Sequence, residues 1–122
     1  MSSDSLDTLR TLLAAFADER DWRQFHNPKN LAMALSVEAA ELLEQFQWLT
    51  PEQAVELDAA RLARVEDELA DVLNYVVRLA DELDVDLTQA ALRKIEKNHE
   101  KYPAERVRGS AAKYTEYERG EN

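Results

Sequence analysis

The sequence predicts an all-α protein, a four-helix bundle, on three observations. Leu62, Val65, Leu69, Val72, Val76, Leu79 and Leu83 recur at alternating spacings of three and four, the repeat of a packed helical seam. Gly (2) and Pro (3) are scarce among 122 residues, which disfavours a turn-rich β fold. Ala, Leu, Glu and Arg dominate the composition, and all four tolerate helix interiors well.

The elements follow in order. Leu6, Leu9, Leu12, Leu13 and Phe16 lie at helical spacing and give a first helix over 6–19. Asn27 precedes Pro28 and is biased away from helical geometry, so "RDWRQFHNPKN" reads as a loop before a second helix over 29–48. Thr50 followed by Pro51 is a helix start that opens a short helix, with a bend between Leu57 and Ala60. The seam then defines a long helix over 61–84. Asp86 with Gln89 resembles a capping box opening a last helix, which Pro103 ends. We expect one domain over 1–103 and a polar tail over 104–122 carrying Tyr114 and Tyr117.

Composition excludes several classes. With no cysteine there is no disulfide framework and no thiolate metal site, so a metal would rest on oxygen ligands or on His26 and His99. Acids precede the apolar patch of the first helix and Arg10 interrupts it, unlike a secretory leader. No apolar run approaches about 18 residues, so no membrane association is expected and the expected location is cytoplasmic. A net charge of −10 opposes binding of a nucleic-acid polymer, but leaves room for a small phosphorylated ligand if a divalent cation stands between.

The residues that suggest chemistry are acids in apolar surroundings. Between Leu31 and Leu43 only Ser36, Glu38 and Glu41 are polar. At about 100° per residue, Leu31, Leu35, Leu42 and Leu49 fall within about 60° of Glu38, which places that acid inside the apolar arc. Glu41 lies one turn along the same face, so both carboxylates can converge on one point; Glu44 is left outside the site. An unpaired buried carboxylate is costly, and its partner could be a cation, a basic side chain in a structural ion pair, or water. The long helix carries a second pair, Glu68 and Asp71, with Tyr75 a turn further on. Periodicity alone places this pair on the polar arc, where a solvated face is the commoner explanation.

If the two pairs meet across the bundle, four carboxylates repel unless a hard cation lies between them, and oxygen-only ligation suits Mg²⁺ or Mn²⁺. Mg²⁺ shares its shell with substrate phosphates, which points to phosphate-ester or phosphoanhydride chemistry. A ferritin-like di-iron site needs Glu-x-x-His on two helices, and the sequence holds that spacing only once, at Glu96 and His99. Trp22, Phe25, His26 and Trp48 could stack on a base or simply close the bundle ends. Lys94, Asn98, Lys101 and Tyr102 share helical spacing; they read as an exposed face, or as phosphate ligands if they face an acidic metal cluster.

Three blocks, "WRQFHNPKNLAMALSVEAAELLEQFQW", "EDELADVLNYVVRLAD" and "KIEKNHEKYP", resemble the MazG-like all-α nucleoside triphosphate pyrophosphohydrolases, most nearly the dCTP pyrophosphatase branch. The resemblance spans about residues 6–103 and rests on Glu38-x-x-Glu41 followed by Glu68-x-x-Asp71. It implies a four-helix fold assembling as a dimer or dimer of dimers, and Mg²⁺-dependent cleavage of a nucleoside triphosphate to the monophosphate and pyrophosphate. By position it implies Glu38, Glu41, Glu68 and Asp71 as metal ligands. It also implies nucleotide contacts by Trp22, Phe25, His26, Trp48, Tyr75 and Asn98, with Lys94, Lys101 and Tyr102 near the phosphates. Glu41 is the candidate catalytic base because it lies further towards the polar side than Glu38. Two other readings stand beside this one: a non-catalytic nucleotide- or partner-binding bundle, and a related hydrolase selective for another base.

Overall fold

The computed structural model describes residues 5–110, and all regular structure among them is helical. It comprises α1 (Ser5–Glu19), α2 (Pro28–Glu44), α3 (Pro51–Ala54), α4 (Ala59–Glu82), α5 (Leu87–Lys101) and α6 (Ala104–Val107), with a 3-10 turn at Arg23–Phe25 between α1 and α2. The chain divides into two compact units, Met1–Val85 and Asp86–Asn122, a division that falls inside the 1–103 span.

In the first unit, α4 is the central element and both α2 and α1 pack along it. Its buried apolar side chains among the described residues are Ala17 of α1, Leu31 of α2, and Val65, Val77 and Ala80 of α4. The seam of the long helix is only half covered: Val65 faces inward, whereas Leu62 and Leu69 are 47% and 52% exposed. No helix among the described residues is long and apolar enough to cross a membrane.

Side-chain caps set the boundaries. Asn27 accepts a hydrogen bond from the Asn30 N–H at 2.8 Å, and Pro28 occupies the first turn of α2. The far end of α2 differs from expectation. The α-helix stops at Glu44, and residues 45–49 continue as tightened turns in which Gln45 N–H donates to the Leu42 carbonyl and Leu49 N–H to the Phe46 carbonyl. Such shorter-range bonds satisfy terminal carbonyls while re-aiming the chain towards Thr50. Arg61 also donates to the Gln45 carbonyl, which ties the end of α2 to the start of α4.

Thr50 and Gln53 form a reciprocal capping box on α3. Asp58 caps α4 by accepting from the Arg61 N–H at 2.8 Å, which starts the helix two residues before the expected 61 and closes it at Glu82 rather than 84.

The ends of α1 and α4 share one device. Asp21 (φ 57°) and Asp84 (φ 55°) take the left-handed conformation normally given to glycine. After α1, Trp22 N–H donates to the Ala17 carbonyl and Asp21 N–H to the Asp18 carbonyl; after α4, Val85 and Asp84 repeat the pattern onto Ala80 and Asp81. This is the Schellman arrangement, and its usual apolar contact is the edge-to-face pair of Phe16 and Trp22, centroids 5.8 Å apart. The turn after α1 thus delivers Trp22 to a fixed place.

In the second unit, Asp86 caps α5 by accepting from the Gln89 N–H at 3.0 Å. Pro103 follows the C-cap Tyr102, and α6 occupies part of the segment read from sequence as tail. Tyr114 and Tyr117 lie outside the described residues.

The left-handed aspartates can be tested. Asp84→Gly removes steric strain and a negative charge from a helix C-terminus, and is expected to stabilise the protein by about 0.5–1 kcal/mol. Asp84→Val, β-branched at positive φ, should lower the melting temperature. Thermal unfolding by circular dichroism checks both; a melting temperature lower for Gly than for wild type contradicts the strain argument.

Candidate active site

The packing of α2 along α4 brings two acid pairs together. Glu38 and Glu41 project from α2 and Glu68 from α4, each with one carboxylate oxygen within 4.8 Å of the other two. All three are half-buried. Glu38 Oε2 and Glu68 Oε2 are shut off from water and have no hydrogen-bond partner. Burial first, then the neighbouring Glu41, Asp71 and Glu68 carboxylates, push the Glu38 pKa up. The Glu68 carboxyl is raised for the same leading reason, with Glu41 and Asp71 next.

The position of Glu68 corrects the polar-arc reading of its helix. An isolated α4 would present this residue to solvent, but α2 covers that side and closes over one of its oxygens. Asp71 is exposed and stands outside the three-oxygen cluster, yet close enough to perturb Glu38 and Glu68. Glu44 is exposed and acts on Glu68 only as a weaker, more remote charge.

The cluster meets the chemical requirements of a hard cation. Its donors are all carboxylate oxygens, two of them desolvated and unpartnered, and no lysine or arginine neutralises Glu38 or Glu68 among the described ion pairs. Such a set matches Mg²⁺ or Mn²⁺ better than a structural ion pair, which would have supplied the missing donors.

Beside Asp71 opens a cavity of about 370 Å³, a size suited to a small organic ligand. Leu13, Phe16 and Ala17 of α1 form its apolar side. Trp22 and His26, from either end of the 3-10 turn, form a second side. The third is a stripe of α4, Asp71, Asn74, Tyr75 and Arg78, residues that share one helix face by their spacing. Asp71 thus belongs both to the cavity and to the electrostatics of the acidic cluster.

Of the expected nucleotide contacts, Trp22, His26 and Tyr75 meet in this cavity. Phe25 (58% exposed) and Trp48 (86% exposed) lie elsewhere on the first unit. Lys94 and Asn98 are on α5, Lys101 is its last residue and Tyr102 its C-cap, all in the second unit.

The sequence reading missed Asn74 and Arg78. Their spacing from Asp71 and Tyr75 was the available signal. Arg78 is 3% exposed, the one buried charged side chain among the described residues. It donates to Glu82 Oε2 at 2.6 Å, to Asp81 Oδ2 at 3.1 Å and to His26 Nδ1 at 3.3 Å. These bonds hold the Glu82 carboxyl below the usual carboxylate range.

Comparison with known proteins identifies the family of the chain. The model of the MazG-like family matches residues 33–117, a span containing all four acids, Asn74, Tyr75 and Arg78. The chain is 45% identical over 118 residues to dCTP pyrophosphatase 1 of Mus musculus, covering 95% of this chain and 69% of that protein. It is likewise 45% identical over 118 residues to dCTP pyrophosphatase 1 of Homo sapiens, with the same coverage. A crystal structure of a pyrophosphatase from Archaeoglobus fulgidus superposes with a TM-score of 0.78 at 41% identity, covering 84% of this chain and 96% of that one. Acids of α2 and α4 brought into one cluster, an adjoining aromatic cavity and a family match over most of the sequence lead to one conclusion: the chain belongs to the MazG-like family.

Proposed function

We propose that the chain hydrolyses a deoxynucleoside triphosphate, dCTP or a modified relative, to the monophosphate and pyrophosphate with Mg²⁺ as cofactor. The observation that carries this reading is the pair of unpartnered oxygens, Glu38 Oε2 and Glu68 Oε2, within a three-carboxylate cluster beside a nucleoside-sized cavity. The names of the similar proteins supply the reaction class, nucleoside triphosphate pyrophosphohydrolysis, and suggest the base.

In this reading Glu38, Glu41, Glu68 and Asp71 hold the cation, with Mn²⁺ as the alternative to Mg²⁺. When bound, it neutralises phosphate oxygens and lowers the cost of bringing a polyanion to an acidic surface. The chain's own residues do the rest. Trp22 and Tyr75 flank the nucleoside in the cavity, and Asp71 sits where base pocket and phosphate site adjoin. Glu41 takes the proton of the attacking water, its carboxylate lacking the sealed, unpartnered oxygen of Glu38. Lys94, Asn98, Lys101 and Tyr102 serve the phosphate end, and Phe25 completes the aromatic block around the nucleotide.

The chain also acts as a homo-oligomer, a dimer or dimer of dimers. Only five apolar side chains are buried among the described residues, whereas Met33, Val37 and Leu43 of α2 and Leu62, Leu69 and Leu73 of α4 are 40–58% exposed. Open apolar surface on two adjacent long helices suits subunit contact. Trp48, almost fully exposed in the turns that follow α2, is then placed to serve a base site at the contact.

Three measurements test this reading. Pyrophosphate release from a panel of canonical and modified deoxynucleoside triphosphates with Mg²⁺ should favour dCTP-type substrates. Glu38→Gln should lower that release more than about a hundredfold with the fold intact; full activity in this variant removes the central claim.

The second concerns stability. A carboxyl with a raised pKa in the folded state holds its proton more tightly there than in the unfolded chain. In chelated protein, the contribution of Glu38 and Glu68 is therefore complete below the ordinary carboxylate pKa and lost as pH rises through the raised value. At neutral pH without metal, Glu38→Gln should melt higher than wild type, and added Mg²⁺ should raise the melting temperature of wild type alone. A chelated variant that melts lower than wild type contradicts the repulsion argument.

The third is light scattering. Wild type should exceed the monomer mass, and Leu69→Asp should shift it towards monomer; a monomeric wild type overturns the oligomer.

A further inference from the structure

Arg78 has no part in the chemistry above, yet the fold buries it and surrounds it with fixed partners. Asp81 and Glu82 lie three and four residues on along α4 and bind two edges of its guanidinium. Both acids are also held from outside the helix, Glu82 by Arg23 at 3.4 Å and Asp81 by Arg10 at 3.8 Å. The guanidinium therefore cannot swing to follow a ligand.

Its remaining contact is across the chain. Nε donates to His26 Nδ1 at 3.3 Å, and Nη2 lies at the same distance from that atom. A guanidinium carries donors only, so Nδ1 must be the acceptor and the ring proton must sit on Nε2. Burial and the adjacent guanidinium also depress the imidazole pKa, while Glu82 opposes them and Arg23 assists. His26 and Arg78 both line the cavity.

We propose that Arg78 is a positioning residue that locks His26 in the Nε2–H tautomer, so that this wall of the cavity offers a hydrogen-bond donor, and no acceptor, to the bound nucleoside. The inference rests on the nucleotide reading for the identity of the ligand and on the Arg78–His26 geometry for the rest. The chemistry it selects is a nucleoside with a carbonyl oxygen or ring nitrogen facing His26; an amino group at that point would meet a second donor and be rejected.

A merely structural Arg78 would tie the 3-10 turn to α4 without dictating a tautomer, and the test separates the two roles. In ¹⁵N-labelled wild type without nucleotide, the imidazole correlations of His26 should show Nδ1 unprotonated and Nε2 protonated at neutral pH. Arg78→Lys keeps the charge between Asp81 and Glu82 but loses the fork that reaches Nδ1. The folded variant should show mixed tautomers and about a fivefold higher KM for the preferred deoxynucleoside triphosphate with Mg²⁺, with kcat little changed.

His26→Gln supplies a donor near the Nε2 position without tautomerism. In that background Arg78→Lys should change KM by less than about twofold, so that the two effects are not additive. The proposal is overturned if wild-type His26 carries its proton on Nδ1, or if Arg78→Lys changes neither tautomer nor KM, or if its cost is the same in the His26→Gln background as in wild type. Absence of turnover in wild type with the Nε2–H tautomer present overturns the hydrolase reading and the donor's role towards a nucleotide; Nδ1–H with normal turnover overturns the lock alone. Should Arg78→Lys fail to fold, the wild-type tautomer and the KM of His26→Gln against His26→Leu still decide, since the donor model requires the former to bind tighter.

Discussion

Two carboxylate oxygens, Glu38 Oε2 and Glu68 Oε2, are sealed between α2 and α4 with nothing to bond to, and the rest of the first unit is arranged around keeping them there. Like charges in a shielded site push their helices apart or favour the protonated form, and the raised pKa of both residues reflects the second tendency. The first response is resisted at the helix ends. Arg61 grips the C-cap carbonyl of α2, and Asp58 fixes the first turn of α4 beside it. Leu31, fully buried, anchors α2 about two turns before Glu38. Packing energy from apolar contacts thus holds an electrostatically unfavourable arrangement in place, the usual division between a scaffold and the strained site it carries.

How much of this the sequence discloses depends on whether a residue's environment is set by its own helix. Glu38 was legible because its acid lies among leucines on a single helical arc, an anomaly visible without any partner. Glu68 was not, because the arc of α4 alone is polar there and only the approach of α2 buries it. Arg78 was hidden for a related reason. Its spacing to Asp81 and Glu82 reads as ordinary surface pairing, and the contact that makes it unusual, with His26, spans 52 positions. The seam of the long helix was legible as periodicity, but which of its leucines face a neighbouring helix and which stay open was not.

Element boundaries show the same limit. Asn27 with Pro28 and Thr50 with Pro51 announced their helices correctly, since capping is a local interaction within four residues. The end of α2 was misread by four residues, because tightened turns preserve helical spacing of side chains while changing the hydrogen bonds. The left-handed aspartates after α1 and α4 were silent in the sequence, where a glycine would have marked the stop. With two glycines in the whole chain, both beyond α5, the protein spends aspartates on such turns instead.

That choice bears on the net charge of −10. The acids occupy distinct kinds of place: Asp58 and Asp86 cap helix N-termini, where the dipole welcomes them, and Asp81 and Glu82 are neutralised by Arg78. Among the described residues, no ion pair gives the cluster of Glu38, Glu41 and Glu68 such compensation. Moreover, the guanidinium nearest the cavity is already committed to two carboxylates and an imidazole, so it is not free to receive phosphates. Cavity and cluster consequently divide the work along α4. The Arg78 end presents an apolar, aromatic and hydrogen-bonding wall, and the Glu68 end gathers negative charge. A single helix, read from Arg78 to Glu68, therefore passes from the wall of the cavity to the acidic cluster within the first unit.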